Sequence, residues 1–356
     1  MCAPLLLTLL ATACGPSPRP IPPLPAPPMK GSYALGSDSL ETAWDQEVGR
    51  GLFASPNVIG PAVFVTTTNR AVVALNRETG RKYWERRFNN AITSGVTVSG
   101  NRLFFASEDL KGKAYAIDAT RGRQVWEQRI GPVRHALAVE DNAVYVGTLD
   151  GYVLSLNAQT GRVLWKTRLG RPTSFAPILH GDALLIATSA DTLYRIATGN
   201  GQVLARAALG GTASADPLVL NNRLYVPLHD SEVITYDALT LSEQARTPTA
   251  SPVLSSPQAI GTEVFVLTQA SELYRLGDGP AQQVASFNGA SRGSLTAAGD
   301  RLLVGLLDGR LLVVDREGKI RGQVHLGGSI AAPATVADDG IYVGLLRGTM
   351  IKLEQH

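Results

Sequence analysis

The sequence predicts an all-β chain folded as an eight-bladed β-propeller. Three observations predict it: a repeated tryptophan phrase, a period of about forty residues, and short β-type runs parted by turn residues. The chain has four tryptophans, and three follow one phrase: Thr79-Gly80 before Trp84, Thr120-Arg121-Gly122 before Trp126, and Thr160-Gly161 before Trp165. Asn76, Asp118 and Asn157 open the phrase, and Trp44 precedes Trp84 by forty residues. A large ring recurring at a fixed interval marks a copied structural unit rather than a catalytic centre.

The period persists where the tryptophan does not. The apolar residue before each phrase recurs as Leu75, Ile117, Leu156, Ile196, Tyr236, Leu276, Val314 and Leu353, at intervals of 42, 39, 40, 40, 40, 38 and 39 residues. Those positions define eight copies. A second series keeps step with them: Phe64-Val65, Phe104-Phe105, Tyr145-Val146, Leu185-Ile186, Tyr225-Val226, Phe265-Val266, Leu303-Val304 and Tyr342-Val343. Such runs of Val, Ile, Leu, Tyr and Phe, bounded by Gly, Asn and Asp, read as strands. Asp-Gly and Thr-Gly supply the left-handed backbone of tight hairpins. In the copy over 136–169, four strands fit at 137–139, 143–148, 152–157 and 163–168. Four short antiparallel strands per forty residues describe a propeller blade.

A ring must close or leave exposed sheet edges. The last copy supplies three strands, over 329–355, and residues 40–48 carry the missing fourth, with Trp44 in the docking position. The N-terminal strand is therefore expected to complete the C-terminal blade. Trp44, Trp84, Trp126 and Trp165 are read as structural docking residues. Each buried indole removes roughly 200 Å² from water, worth about 5 kcal/mol. Ala205 and Ala245 stand where later copies lack the ring, so looser docking is expected over 174–326.

Composition narrows the function. With 18% charged residues, a net charge of +3 and no run of Lys or Arg, nothing suggests a nucleic-acid partner gripped by its phosphates. Residues 3–13 are apolar and small and end at Cys14. That pattern resembles a bacterial lipoprotein signal over residues 1–13, with Cys14 the lipidated N-terminus of the mature chain; an ordinary secretory signal is the alternative. Cys2 leaves with the signal, so acylation also accounts for a single remaining Cys in an exported protein. Residues 16–28 hold eight prolines, expected to extend as polyproline II over about 40 Å. Residues 14–35 thus read as a lipidated Cys and stiff linker, and residues 36–356 as the ring. Anchoring through several acyl chains would be firm.

The Asn/Asp-x-x-Thr-Gly-x-x-x-Trp phrase resembles the pyrroloquinoline-quinone (PQQ) type propeller repeat, over residues 40–355 and most clearly over 55–170. Two branches share that repeat: quinoprotein dehydrogenases and the BamB family, the non-enzymatic propeller lipoproteins of the outer-membrane β-barrel assembly machinery. A lipoprotein signal followed by one eight-bladed ring resembles the second. The resemblance implies an outer-membrane lipoprotein facing the periplasm, a monomeric ring that binds the barrel-forming subunit within a larger complex. A periplasmic or secreted form is the alternative location. Gly15 follows Cys14, where an Asp would signal inner-membrane retention in the best-known system.

In the BamB family, partner contacts come from linkers between blades. Here the equivalent linkers are 131–135, 170–174, 210–214 and 288–293, and they carry Arg134, Arg171 and Arg292 as candidate partner-binding residues. The linker over 210–214 has no acidic residue, so positions of that kind do not transfer.

The dehydrogenase branch needs a calcium site of six to eight oxygens and a slot for a flat cofactor. Asp150, Asp191, Asp216 and Asp308 occur singly, each in a turn or cap role, and no Asp-x-Asp cluster occurs. The neighbouring-cysteine disulfide those enzymes often carry has no counterpart. His135, His180, His229, His325 and His356 make no metal pair at the usual spacing, and His229-Asp230 reads as a hydrogen-bonded turn pair. No hydrolase elbow or phosphate loop is present. The expected function is a non-enzymatic scaffold without PQQ, calcium or other metal. An envelope propeller that binds polysaccharide or another surface protein is the second reading, and a PQQ-dependent dehydrogenase the third.

Overall fold

Eight four-stranded antiparallel sheets surround an axis in the computed structural model, which describes residues 20–22, 24–25, 33–92, 94–277 and 279–355. The expected signal peptide and Cys14 lie outside the described residues. Blade 1 consists of Asn57–Ile59, Ala62–Thr67, Ala71–Asn76 and Lys82–Arg87. Blades 2 to 7 repeat this order over 97–129, 138–168, 178–208, 218–248, 258–286 and 294–325. The four strands read from the third copy fall within a residue of Ala138–Glu140, Ala143–Gly147, Tyr152–Asn157 and Val163–Arg168.

Blade 8 takes Thr335–Ala337, Gly340–Gly344 and Thr349–Gln355 from the C-terminal end of the chain. Its outer strand is Leu40–Glu47, paired antiparallel with Thr349–Gln355 from Leu40 opposite Gln355 to Glu47 opposite Thr349. The ring therefore closes as the sequence predicts.

Period-two alternation explains the core. In the second strand of blade 1, Val63 and Val65 pack toward blade 8 whereas Phe64 packs toward blade 2; in the third, Val73 and Leu75 face blade 8 whereas Val72 and Ala74 face blade 2. Both faces of a blade are buried, so its middle strands are continuous apolar runs. Apolar side chains gather into eight clusters, one at each junction between neighbours, and none fills the axis.

Each tryptophan bridges such a junction. The indole N–H of Trp44 donates to the Arg77 carbonyl at 3.1 Å, Trp84 to Ala119 at 3.0 Å, Trp126 to Ala158 at 2.9 Å and Trp165 to Thr198 at 2.7 Å. Each ring lies flush on the glycine of the next blade's phrase. A Cβ added to Gly80, Gly122, Gly161 or Gly201 would stand 2.5 to 2.8 Å from a ring carbon, and all four glycines have φ near +70°. Asn76, Asp118 and Asn157 hold the hairpin by accepting backbone N–H bonds two and three residues on.

Looser docking was expected where the ring is lost, but at the blade 4–5 junction the structure fills the space. Ala205 occupies the tryptophan register, opposite Arg195 as Trp165 is opposite Ser155. At the glycine position of the next phrase stands Leu241, at φ 58° and buried in the cluster that Ala205 packs against. The Tyr236 hydroxyl donates to the Ala208 carbonyl at 2.7 Å across the same junction, and its burial pushes the phenol up to about 12. A large side chain has moved from one blade to its neighbour.

The closing junction adds a polar cluster. Arg77 pairs with Asp338 and, at 2.6 Å, with Asp339; the Tyr342 hydroxyl donates to Asp339 at 3.0 Å, and buried Lys352 pairs with Asp339 at 3.0 Å and Glu354 at 2.7 Å. Burial alone would raise the Asp339 carboxyl, but Lys352 and Arg77 hold it below the usual range. With Trp44 and Tyr342 rings 6.0 Å apart, the junction is both apolar and ionic.

A second correction concerns the linker, expected to be a free spacer. Ile21 and Leu24 are 2% and 9% exposed and join the apolar cluster between blades 1 and 2. The Ile21 N–H donates to the Thr120 carbonyl at 3.1 Å, the Leu24 N–H to Asn101 Oδ1 at 2.7 Å, and Pro25 covers Gly60. Two aliphatic side chains among the prolines find an apolar notch, and burying them outweighs extension into water.

The Leu241 exchange makes a test. Ala205→Trp alone should overpack its junction and cost about 1–3 kcal/mol, and Leu241→Gly alone should cost about 2–4 kcal/mol from the cavity it leaves. Combined, they rebuild the motif of blades 1–4, so denaturant unfolding should reveal a favourable coupling above about 1 kcal/mol. Additive effects would contradict the account.

Candidate interaction face

The ring has two faces of different construction. On one, the turns between first and second strands meet those between third and fourth strands: Ala119 N–H bonds the Asn101 carbonyl, Ala158 that of Asn142, and Ala238 that of Asn222. On the other, the turns between second and third strands meet the linkers that join blades: Leu149 N–H bonds the Pro132 carbonyl, Ser189 that of Pro172, His229 that of Thr212, and Leu307 that of Ala290. We call these the hairpin face and the linker face. Linker residues Thr173, Ala213, Val253 and Ile330 each bridge to the end of the next blade's second strand, so the linkers are fixed by backbone bonds.

All three candidate arginines lie on the linker face, in two different states. Arg134 is already held, its Nε 2.8 Å from Glu108 Oε1 and its Nη2 on the same oxygen. Arg171 and Arg292 are exposed and form no ion pair among the described residues. They sit three junctions apart, between blades 3 and 4 and between blades 6 and 7.

The aspartates weighed as calcium ligands are each engaged in the frame. Asp150 accepts from the Thr148 hydroxyl, Asp191 from the Gly211 N–H at 2.6 Å, Asp216 from the Ala176 N–H at 3.1 Å, and Asp308 pairs with Arg310 at 2.7 Å. Arg310 holds the Asp308 carboxyl below its usual range. His229 and Asp230 share an exposed turn on this same face. First strands of neighbouring blades contact one another around the axis. Small polar side chains join them there: Thr97 donates to the Leu137 carbonyl at 2.6 Å, Thr296 to Ala334 at 3.0 Å, and Thr335 to Pro56 at 2.6 Å. Among the described residues no three His, Cys, Asp or Glu side chains gather as a metal site.

One link across this face was not legible in the sequence. His135, in the linker before blade 3, feels Asp216 at the start of blade 5. Burial pushes its imidazole below the ordinary value; Arg134 acts in the same direction, and Asp216 opposes. His135 and Asp216 lie 81 positions apart in the sequence, and the fold of the ring brings them within electrostatic reach.

Comparison with known proteins places these features. The family profile described as "Outer membrane protein assembly factor BamB" matches residues 33–176 and 149–355. The protein of that name from Shewanella oneidensis is 24% identical over 343 residues, covering 85% of this chain and 86% of its own length. That from Burkholderia pseudomallei is 29% identical over 156 residues, covering 42% of this chain and only 40% of its own length. A quinoprotein ethanol dehydrogenase from Pseudomonas putida is 36% identical over 99 residues, 27% of this chain and 16% of the enzyme. Among solved structures, BamB from Moraxella catarrhalis superposes with a TM-score of 0.75 at 16% identity, over 89% of this chain and 98% of that one. That last likeness concerns the fold alone.

The His135 shift has a sign. At a pH between its folded and unfolded values, a base held below its ordinary value is neutral in the folded ring and takes up a proton on unfolding. Its contribution is complete above about pH 6.5 and is lost as pH falls through the folded value. Denaturant unfolding at pH 8 and pH 5.5 should show stability falling with pH, and His135→Asn should reduce that fall. An unchanged pH dependence in the variant would contradict the assignment.

Proposed function

The chain belongs to the family of the outer membrane protein assembly factor BamB, and on that premise we propose that it is a non-enzymatic envelope scaffold. In this reading an acylated Cys14 holds a monomeric ring on the periplasmic side of the outer membrane. The linker face binds the barrel-forming subunit of the assembly machinery. One observation carries the proposal: Arg171 and Arg292 stand exposed, without an ion pair among the described residues, on linkers fixed by backbone bonds to rigid blades.

The physics favours docking by such a surface. A guanidinium presents a planar fork of donors that matches a carboxylate with two parallel bonds. Preformed linkers lose little freedom on binding, so more of the contact energy appears as affinity. Arg134 would have to exchange Glu108 for a partner carboxylate, and so contributes less. Extended client segments could also add to the outer strands, whose edges are unpaired; Leu164 and Leu204 are exposed on those of blades 3 and 4.

The reading contains no quinone and no calcium. Calcium requires six to eight convergent oxygens, whereas the aspartates here are committed to separate turns and to Arg310. The small polar side chains about the axis are likewise committed to bonds between blades. That donor set does not fit the cofactor of the dehydrogenase relatives.

Replacing both Arg171→Glu and Arg292→Glu should weaken capture of the barrel-forming subunit from solubilised envelope by at least about tenfold, or 1.4 kcal/mol. The thermal midpoint should stay unchanged. Undiminished capture, or loss of capture together with loss of folding, would overturn the assignment of this face.

A further inference from the structure

The linker segment that packs on the ring fixes more than itself. Ile21, Leu24 and Pro25 reach Thr120, Asn101 and Gly60. Thr120 lies in the turn between third and fourth strands of blade 2, Asn101 in that between its first and second strands, and Gly60 in the corresponding first turn of blade 1. All three belong to the hairpin face. Residues 33–38 cross the same face before entering blade 8: Ala34 covers Gly299, Gly36 N–H donates to Gln355 Oε1 at 2.5 Å, and Asp38 pairs with Arg301 at 2.9 Å. The described N-terminal approach is thus confined to one face.

We propose that Ile21, Leu24 and Pro25 act as an orientation clamp, turning the hairpin face of blades 1 and 2 toward the lipid surface and the linker face away from it. The proposal rests on the reading of Cys14 as the acylated residue. Pro20 lies six positions after Cys14, and covalent geometry limits that reach to about 20 Å. The blade itself is about 20 Å from face to face, given six-residue strands at about 3.3 Å per residue. An anchor at the clamp therefore favours the hairpin face against the headgroups, because seating the linker face there would need the whole tether drawn out along the blade. A free linker of the full Pro-rich length would leave either face equally able to approach.

The chemistry of the clamped region agrees. Arg81, Arg121, Arg123 and Arg162 are exposed in the turns between third and fourth strands of blades 1 to 3, on the same face as the notch that holds Ile21 and Leu24. Cations so placed suit an anionic headgroup layer. The clamp also places the arginines of the linker face where a periplasmic partner can reach them.

The cysteine count makes the test clean. Once Cys2 leaves with the signal and Cys14 is acylated, an introduced cysteine is the only free thiol. Nitroxide labels would be placed at Arg121→Cys on the hairpin face and Lys111→Cys on the linker face of the same blade. The acylated full-length protein would then be reconstituted in phosphatidylethanolamine–phosphatidylglycerol vesicles carrying a nickel-chelating lipid. Relaxation enhancement should be severalfold stronger at position 121 than at 111. Ile21→Asp with Leu24→Asp should abolish the difference, because neither carboxylate can be buried in the notch. Replacing residues 19–26 by Gly-Ser of equal length should do the same, and thermal melting reports whether each ring remains folded. Equal enhancement at the two positions, or a difference that survives both releases, overturns the clamp. Intact mass separates the premises: a mature chain without acyl mass sinks the anchor reading, whereas equal enhancement with acyl mass present sinks only the orientation.

Discussion

The ring depends on the contact between neighbouring blades, which at four junctions is an indole laid on a glycine where an added Cβ would strike the ring. The indole N–H satisfies a carbonyl at the rim of the next blade, and the ring covers the hairpin beside it. A sheet buried on both faces has no stability of its own beyond what its neighbours supply, so the contact must recur at every junction or be replaced. That requirement produces the repeated phrase. Trp44 makes the same contact from the N-terminal strand, whose pairing with the last strand of the chain turns a row of blades into a closed ring.

The buried apolar side chains among the described residues gather at the junctions between blades. The axis is bordered by short strands joined through small hydroxyl side chains, and the aspartates that could have served a cation are engaged in turns and linkers. What remains variable is the surface of the two faces. Its arginines divide between a hairpin face crossed by the N-terminal segment and a linker face held open. In the proposed reading, function comes from orientation and presentation.

Blade number, closure and the docking role of the tryptophans were legible in the sequence because each leaves a periodic mark. The exchange of Trp and Gly for Ala205 and Leu241 was not, because a leucine at positive φ breaks the local rule and makes sense only beside the alanine one blade earlier. The docking of Ile21 and Leu24 was hidden for a different reason: eight nearby prolines dominate the local signal, and the notch they enter is built from residues of two blades. At the candidate face, sequence placed Arg134, Arg171 and Arg292 on linkers between blades, where the structure also has them. Sequence could not separate the arginine already held by Glu108 from the two that are not, nor bring His135 to Asp216.

The central claim is that the strand from Leu40 to Glu47 seals blade 8, and native-state hydrogen exchange of the amides in Thr349–Gln355 tests it most directly. In a sealed ring those amides open only with the whole molecule and exchange as slowly as the buried third strand of blade 1. Exchange there that is orders of magnitude faster than in blade 1 would mean an open seam, and the account of closure would be wrong.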